Sequence, residues 1–251
     1  MTELTPQAAA NRAVWDEQHS SWYGGRAERL WTGDPCWGLW ERPETELRVF
    51  PSLDGRDLVE LGCGTGYVSA WAARRGARPV GVDNSSVQLA TARALQEAHG
   101  PSFPLVHASA EQVPLPDACC DVVISEHGAI GWCDPELWIP EAARLLRPGG
   151  QLIFLRNSTL LTLCDHGDEP VGTTLVRGLA ELPRLAQDDG SVNYQLPTGA
   201  MIGLLRRCGF VVDELTEIVV PADSPSEFDY VTADWASRWP SEELWKATLT
   251  G

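Results

Sequence analysis

The chain has 251 residues and a formal net charge of −16 at pH 7. This length suits a single α/β domain with additional segments, and the negative charge argues against nucleic acid and anionic membranes as partners. No apolar run reaches the length of a transmembrane helix, and the polar N-terminus lacks a secretion signal, so we expect a cytoplasmic protein. Seven cysteines without a C-x-x-C pair indicate neither a disulfide framework nor a metal site.

The N-terminal third is rich in tryptophan and begins with a helix signal. Thr5 followed by Pro6 is typical of a helix start, and we expect a first helix over residues 8–22. A second helix is predicted over residues 43–50. We interpret residues 1–55 as a helical cap on the domain that follows.

From residue 56 to residue 156 the predicted strands and helices alternate. This alternation is typical of a parallel sheet with helices on both faces. The predicted strands cover residues 57–61, 78–82, 103–107, 121–125 and 151–156. The predicted helices cover residues 67–75, 86–98 and 135–146, with Ser85 and Asp134 as N-caps of the second and third, and residues 148–150 are predicted as a turn.

The alternation of strands and helices stops at residues 157–195, where glycine, proline, charged residues and short apolar runs are mixed. An insertion after the fifth strand lies at the ligand edge of such a sheet, so we interpret it as a lid. Residues 196–251 would complete the sheet. They are predicted to hold a helix at 199–207, a strand at 209–220, a short strand around Val231 and a terminal helix at 241–248 capped by Ser241.

A glycine loop follows the first predicted strand. Its pattern is G-x-G-x-G, at Gly62, Gly64 and Gly66, and differs from the G-x-G-x-x-G of dinucleotide sites. Glycines let the backbone turn sharply and let a ligand approach closely. Glu60, just before the loop, would repel a pyrophosphate but suits a ligand that carries an ammonium or sulfonium group.

Five motifs in order resemble the class I S-adenosylmethionine-dependent methyltransferases, in the branch of small-molecule and quinone-biosynthesis enzymes. The motifs cover residues 60–66, 79–85, 109–117, 121–125 and 141–150. The resemblance implies a Rossmann-like, seven-stranded-type, mostly parallel sheet with helices on both faces. It also implies S-adenosylmethionine as cofactor, S-adenosylhomocysteine as product and methyl transfer as the activity.

The resemblance assigns a set of cofactor-binding residues. Asp83 lies about 20 residues after the glycine loop, the spacing of a ribose-binding acid, although it could instead cap the next helix. Ser109 stands where the family usually has an acidic residue, and an ordinary loop serine is the alternative interpretation. The predicted cofactor residues are Glu60, Gly62, Cys63, Gly64, Gly66, Asp83, Asn84, Ser109, Ala110, Glu111, Ser125 and Glu126.

His127, just past the fourth strand, is the candidate general base, because its usual pKa suits proton removal near neutral pH. Many methyltransferases need no base, so His127 could instead only shape the pocket. His166 in the insertion is a poorer candidate base, because loop histidines are usually solvated, and it is predicted as a substrate-binding residue. Most of the 11 tryptophans are expected to pack, but Trp37, Trp40 and Trp132 are predicted to face an apolar or aromatic small-molecule acceptor.

Several alternatives stay open at this point. The protein could methylate a protein or a nucleic acid, or it could bind S-adenosylmethionine without transferring its methyl group. A nicotinamide enzyme is a more distant alternative. Bacterial secondary metabolism is the setting that the resemblance implies, and the protein is expected to be a monomer or a homodimer.

Overall fold

The computed structural model describes residues 4–18, 24–167 and 170–251. Its helices are α1 (Pro6–Glu17), α2 (Gly24–Thr32), α3 (Glu44–Leu47), α4 (Tyr67–Arg74), α5 (Ser86–His99), α6 (Ala129–Trp132), α7 (Pro135–Leu145), α8 (Thr159–Cys164), α9 (Thr198–Arg207) and α10 (Ala233–Ala236). Its strands are β1 (Cys36–Trp37), β2 (Arg42–Pro43), β3 (Asp57–Leu61), β4 (Arg78–Asp83), β5 (Leu105–His107), β6 (Cys120–Glu126), β7 (Leu146–Asn157), β8 (Leu185–Ala186), β9 (Val192–Asn193), β10 (Phe210–Ile218) and β11 (Glu242–Leu249).

A seven-stranded sheet organises the chain in the order β10-β11-β7-β6-β3-β4-β5. Strands β3 to β7 are parallel, and β11 runs antiparallel to both β7 and β10. This arrangement confirms the predicted Rossmann-like, mostly parallel sheet. The strand order reverses at β3, because β4 and β5 lie on one side of it and β6 and β7 on the other. Open α/β sheets bind ligands at the carboxyl ends of the strands at such a reversal.

Strand β3 shows why the sheet is buried on both faces. Successive side chains of a strand point to opposite faces. Leu58 accordingly belongs to a buried cluster with Trp71 on one face, whereas Val59 belongs to a second buried cluster with Trp138 on the other. The apolar residues of the strand, Leu58, Val59 and Leu61, therefore contribute to two apolar layers, which fixes the register of the strand.

The parallel half of the sheet follows the sequence-based expectations closely. The bounds of β3 are as predicted, and those of α4, α5 and α7 differ by one residue. Ser85 and Asp134 cap α5 and α7, because their side chains accept hydrogen bonds from Gln88 N and Glu136 N. The predicted turn at residues 148–150 lies inside β7, where the pairing with β6 is irregular.

The predicted terminal helix is wrong. Residues 242–249 form β11, which lies between β7 and β10 and pairs with both. Its side chains are buried on both faces, with Leu244 in one apolar cluster and Trp245 in the other. The short strand predicted around Val231 is also wrong, because Val231 is a buried residue that precedes α10.

The N-terminal segment begins as predicted and then packs into the core. Thr5 caps α1 by accepting a hydrogen bond from Ala8 N. The last part of the predicted 8–22 helix, with His19 and Trp22, lies outside the described residues. The predicted helix at residues 43–50 is reduced to the single turn α3.

The insertion after β7 carries α8, a 3-10 turn at Leu179–Glu181 and a small hairpin of β8 and β9. The hairpin contacts α1, since Val192 N donates to Asn11 Oδ1 at 2.7 Å. Across the described parts of the chain, no helix has both the length and the apolar character needed to cross a membrane.

Candidate functional site

A cavity of about 890 Å³, counted out to its open mouth, lies at the carboxyl ends of β3, β4 and β6. The residues that sequence analysis had assigned to a site and that line this cavity are Glu60, Gly62, Cys63, Gly64, Asp83, Asn84, Ala110, Glu126, His127 and Trp132.

The glycine loop needs its glycines for two different reasons. A Cβ on Gly62 would lie 2.8 Å from the Cα of Gly128, so this glycine allows the loop to pack against the start of α6. Gly64 has a φ of +52°, and a Cβ there would meet only Gln88 Oε1 at 3.7 Å. Gly64 therefore presents bare backbone to the cavity, which lets a ligand approach it closely.

Asp83 ties the glycine loop to the start of α5. Its Oδ2 accepts from Gly64 N and its Oδ1 accepts from Ser85 N, both at 2.7 Å. Ser85 rather than Asp83 supplies the side-chain cap of α5. Burial raises the pKa of Asp83, while these two backbone donors oppose the rise. The loop and the carboxylate thus form one unit on the cavity wall.

Glu60 is a second buried carboxyl group on the wall. Its Oε2 accepts from Ser69 N at 2.8 Å and from Ser69 Oγ at 2.5 Å. Burial raises the pKa of Glu60 from its usual 4.5 to about 8, because two hydrogen bonds do not replace full hydration. A cation bound in the cavity would restore the charged form.

Glu126 is the last residue of β6, and His127 follows it. The N-terminal segment holds Glu126, and β11 holds His127. Glu126 Oε1 accepts from Gly38 N at 3.0 Å, and its Oε2 accepts from the hydroxyl of Tyr67. His127 has a left-handed backbone with φ of +47°, and its Nε2 lies 2.7 Å from Glu242 Oε1. Burial lowers the pKa of His127, but the hydrogen bond and charge of Glu242 outweigh this effect and raise it overall.

Helix α1 forms the outer wall. The side-chain amide of Asn11 donates to Trp132 O at 2.7 Å and to Val192 O at 2.9 Å. Arg12 donates to the backbone and side-chain oxygens of Asn84. Trp15 meets Trp132 edge to face, with ring centroids 5.2 Å apart. These contacts fasten α1 across the cavity beside Asn84.

Four of the predicted cofactor residues lie behind the wall. Ser125 is fully buried and donates to Leu61 O at 2.8 Å. Glu111 accepts from Thr5 Oγ1 and from Asp134 N, so its carboxylate is used in packing α1 and α7. Ser109 is buried and accepts from Glu111 N, and Gly66 packs against Trp31.

Three predicted substrate residues are placed away from the cavity. Trp37 packs edge to face on Phe50 and Trp71, at 4.9 and 5.4 Å, and Trp40 is buried with its indole nitrogen 2.8 Å from Ser241 Oγ. His166 is exposed in the insertion. The two tryptophans are core residues because the N-terminal segment packs against the sheet, which a count of aromatic residues does not reveal.

Several further cavity residues were not expected at a site from the sequence, among them Asn11, Arg12, Trp15 and Tyr67. Glu242, which contacts His127 from behind, was also missed. Tyr67 could have been found, because it directly follows the glycine loop. No local pattern indicated that α1 or Glu242 lies at the site, since both reach it only through long-range packing. Residues 4–18, 24–167 and 170–251 contain no group of three or more His, Cys, Asp or Glu side chains that could hold a metal ion.

Comparison with known proteins identifies the central part of the chain. Residues 59–154 match the model of a methyltransferase domain. The chain is 33% identical over 158 residues to the malonyl-[acyl-carrier protein] O-methyltransferase of Serratia marcescens. The match covers 62% of this chain and 60% of that relative, so the chain spans less than two thirds of the relative's length.

Solved structures share the fold at lower identity. An S-adenosylmethionine-dependent methyltransferase from Mesorhizobium loti has a TM-score of 0.64 and 24% identity, and the match covers 80% of this chain and 94% of that one. A 1,6-didemethyltoxoflavin-N1-methyltransferase from Burkholderia thailandensis, solved with bound 1,6-didemethyltoxoflavin and S-adenosylhomocysteine, has a TM-score of 0.58 and 12% identity. That match covers 100% of this chain and 93% of the other.

Proposed function

Because the chain belongs to the class I S-adenosylmethionine-dependent methyltransferase family, we propose that it binds this cofactor in the cavity and transfers its methyl group to a small molecule. The observation that carries the proposal is the unit formed by Asp83 and Gly64. It brings a carboxylate and bare loop backbone to the carboxyl edge of the sheet, where the strand order reverses.

The cavity residues fit the cofactor in charge and shape. Asp83 and Asn84 would hold the ribose, since a carboxylate can accept from two neighbouring hydroxyl groups. Ala110 would contact the adenine, and Gly64 leaves space for the methionine part. Glu126 would face the ammonium and sulfonium groups with a negative charge, and Glu60 would ionise when such a cation binds beside it. Asp83, Glu60 and Glu126 are all acidic groups, so together they favour a cationic ligand over an anionic one.

S-adenosylmethionine supplies an electrophilic methyl group when bound. The residues of this chain would orient the acceptor, exclude water and remove a proton. Trp15 and Trp132 supply an aromatic wall that suits an apolar or aromatic acceptor, and Tyr67 is fixed by Glu126. His127 is the proposed base. Holding the acceptor in line with the methyl group supplies much of the rate enhancement in such reactions.

The acceptor itself is proposed only by class. The Serratia marcescens relative is named for a malonyl-carrying protein, and the Burkholderia thailandensis structure for a small heterocycle. We favour the small molecule, because the cavity is closed on its outer side by α1. A cytoplasmic location and a role in bacterial secondary metabolism stay predictions, as does the monomeric or dimeric state.

Calorimetry with S-adenosylhomocysteine tests the cofactor site. We expect Asp83→Asn to weaken binding by about 1–3 kcal/mol, the cost of removing a charge-assisted hydrogen bond. Asp121→Asn is the matched control, because Asp121 lies at the opposite end of β6 and pairs with Arg147. Equal affinities for wild type and Asp83→Asn would contradict the assignment of Asp83.

Transfer is tested separately with labelled S-adenosylmethionine and a panel of phenols, amines, thiols and carboxylic acids. Labelled product from any small acceptor supports an enzyme. Tight binding of S-adenosylhomocysteine with no transfer to any acceptor would favour the alternative, a protein that binds the cofactor in a regulatory or structural role. Transfer to protein alone would favour a protein methyltransferase.

A further inference from the structure

Glu242 is a fully buried carboxylate that reaches the back of the proposed site from β11. Its Oε1 accepts from Leu39 N at 3.0 Å and lies 2.7 Å from His127 Nε2. Its Oε2 has no hydrogen-bond partner among the residues that the structure describes. An unpaired buried carboxylate oxygen is costly, so the contact with His127 has to compensate for it.

The contact fixes the tautomer of the His127 ring. An ionised carboxylate only accepts hydrogen bonds, so Nε2 must carry the proton and donate to Glu242. In a neutral ring the other nitrogen, Nδ1, then keeps its lone pair. The His127 side chain is 26% exposed and the residue lines the cavity, so the side chain is open to a bound ligand.

The backbone around His127 is held in place as well. His127 N donates to Leu155 O on β7 at 3.0 Å. The consecutive amides of Gly38 and Leu39 donate to Glu126 and Glu242, the two carboxylates that flank the histidine. The left-handed φ of +47° is strained for a residue other than glycine, and strain of this kind is concentrated at functional sites.

The charged groups that face His127 come from three elements. Glu242 on β11 and Glu126 on β6 favour the protonated ring, whereas Arg26 on α2 disfavours it. Tyr67 on α4 faces the same region and donates to Glu126. Glu242 contacts the ring itself, through the hydrogen bond and ion pair between its Oε1 and His127 Nε2.

We propose that Glu242 is the positioning residue of this site: it keeps His127 Nε2 protonated, so that Nδ1 can take the proton of an acceptor hydroxyl during methyl transfer. This inference rests on the proposed function. As the acceptor oxygen forms its bond to the methyl carbon, the bond from that carbon to sulfur breaks, and its electron pair stays on sulfur as a neutral thioether. The hydroxyl proton passes to Nδ1, and the imidazolium later releases it to solvent.

The test is the protonation state of His127, read by long-range proton–nitrogen NMR in the free protein and in the protein saturated with S-adenosylhomocysteine. We expect the neutral ring of the wild type to carry its proton on Nε2. In Glu242→Gln the amide oxygen can still accept from Nε2, so the tautomer persists while the pKa of His127 falls. In Glu242→Leu both the tautomer preference and the raised pKa are lost.

Ser241→Ala is the matched control. It removes the acceptor of Trp40 beside Glu242 and loosens the same segment, but we expect it to leave the His127 tautomer and titration as in wild type. A proton on Nδ1 in the wild type would overturn the inference without any variant, and so would an unchanged titration in Glu242→Gln. Failure of S-adenosylhomocysteine to bind would instead contradict the proposed function, and the two failures are therefore distinct.

Discussion

Arg156 and Glu243 face each other across β7 and β11 and form a buried ion pair, with 2.8 Å between Nη2 and Oε2. Both charges are also hydrogen-bonded elsewhere. Arg156 Nη1 donates to Leu196 O, and Glu243 Oε1 accepts from Thr159 N. The pair thereby connects the antiparallel end of the sheet to both ends of the insertion.

This pair leads to a prediction about stability. Glu243→Ala leaves the Arg156 charge buried without its partner, which typically costs about 3–5 kcal/mol. We expect a correspondingly lower midpoint in urea denaturation. Glu217→Ala on the exposed side of β10 is the control and should leave the midpoint close to wild type. If the double variant Arg156→Met/Glu243→Leu were no more stable than Glu243→Ala, the unpaired charge would not be the cause.

The same two strands show where sequence reasoning failed. The acidic residues at 242 and 243 are typical of the first turn of a helix, and their burial could not be read locally. They are buried because His127 and Arg156, which are far away in the sequence, pair with them. The parallel half was predictable for the opposite reason, since its strand periods, caps and glycine loop are local signals.

The candidate site likewise contains some residues that could be predicted from the sequence and others that could not. Glu60, the glycine loop, Asp83 and His127 could be placed at one edge from the alternation of strands and helices. Trp37 and Trp40 were predicted to face the acceptor, because only the packing of the N-terminal segment shows that they are core residues. The wall formed by α1 depends on Asn11, whose partners lie more than 100 residues away.

Asn11 therefore provides a test of how α1 closes the cavity. Asn11→Ala leaves Val192 N and two carbonyl groups without their partner, a loss of roughly 1–3 kcal/mol. We expect faster hydrogen exchange in α1 and faster dissociation of S-adenosylhomocysteine. Glu17→Ala, at the exposed end of the same helix, should change neither rate. A normal dissociation rate for Asn11→Ala would show that α1 does not retain the ligand.

Glu60 should make both stability and ligand binding depend on pH. Its pKa is about 8 in the folded chain against 4.5 when solvated, so the folded state binds more protons at this group between those values. Its contribution to the free energy of unfolding therefore falls as the pH rises through this window. Glu60→Gln should remove this part of the pH dependence, which denaturation at several pH values would measure.

A bound ammonium or sulfonium favours the ionised form of Glu60, so binding near pH 7 should release a proton. We expect the binding enthalpy of S-adenosylmethionine to vary with the ionisation enthalpy of the buffer. In Glu60→Gln this variation should shrink. Equal buffer dependence in the variant would mean that another group loses the proton; Asp83, whose pKa is also raised by burial, is such a group.

His127→Ala tests the proposed base. General base catalysis typically contributes about 10²–10⁴-fold, so we expect kcat for a hydroxyl acceptor to fall within that range while the affinity for S-adenosylhomocysteine is retained. The base works only when deprotonated, so kcat/KM of the wild type should rise with pH through the pKa of His127. Because Glu242 raises that pKa, the rise of kcat/KM should move to lower pH in Glu242→Gln.

The control for His127→Ala is His99→Ala, which changes a surface histidine that pairs with Glu28. A wild-type rate in His127→Ala would mean that the acceptor reacts without a base and that the histidine only shapes the cavity.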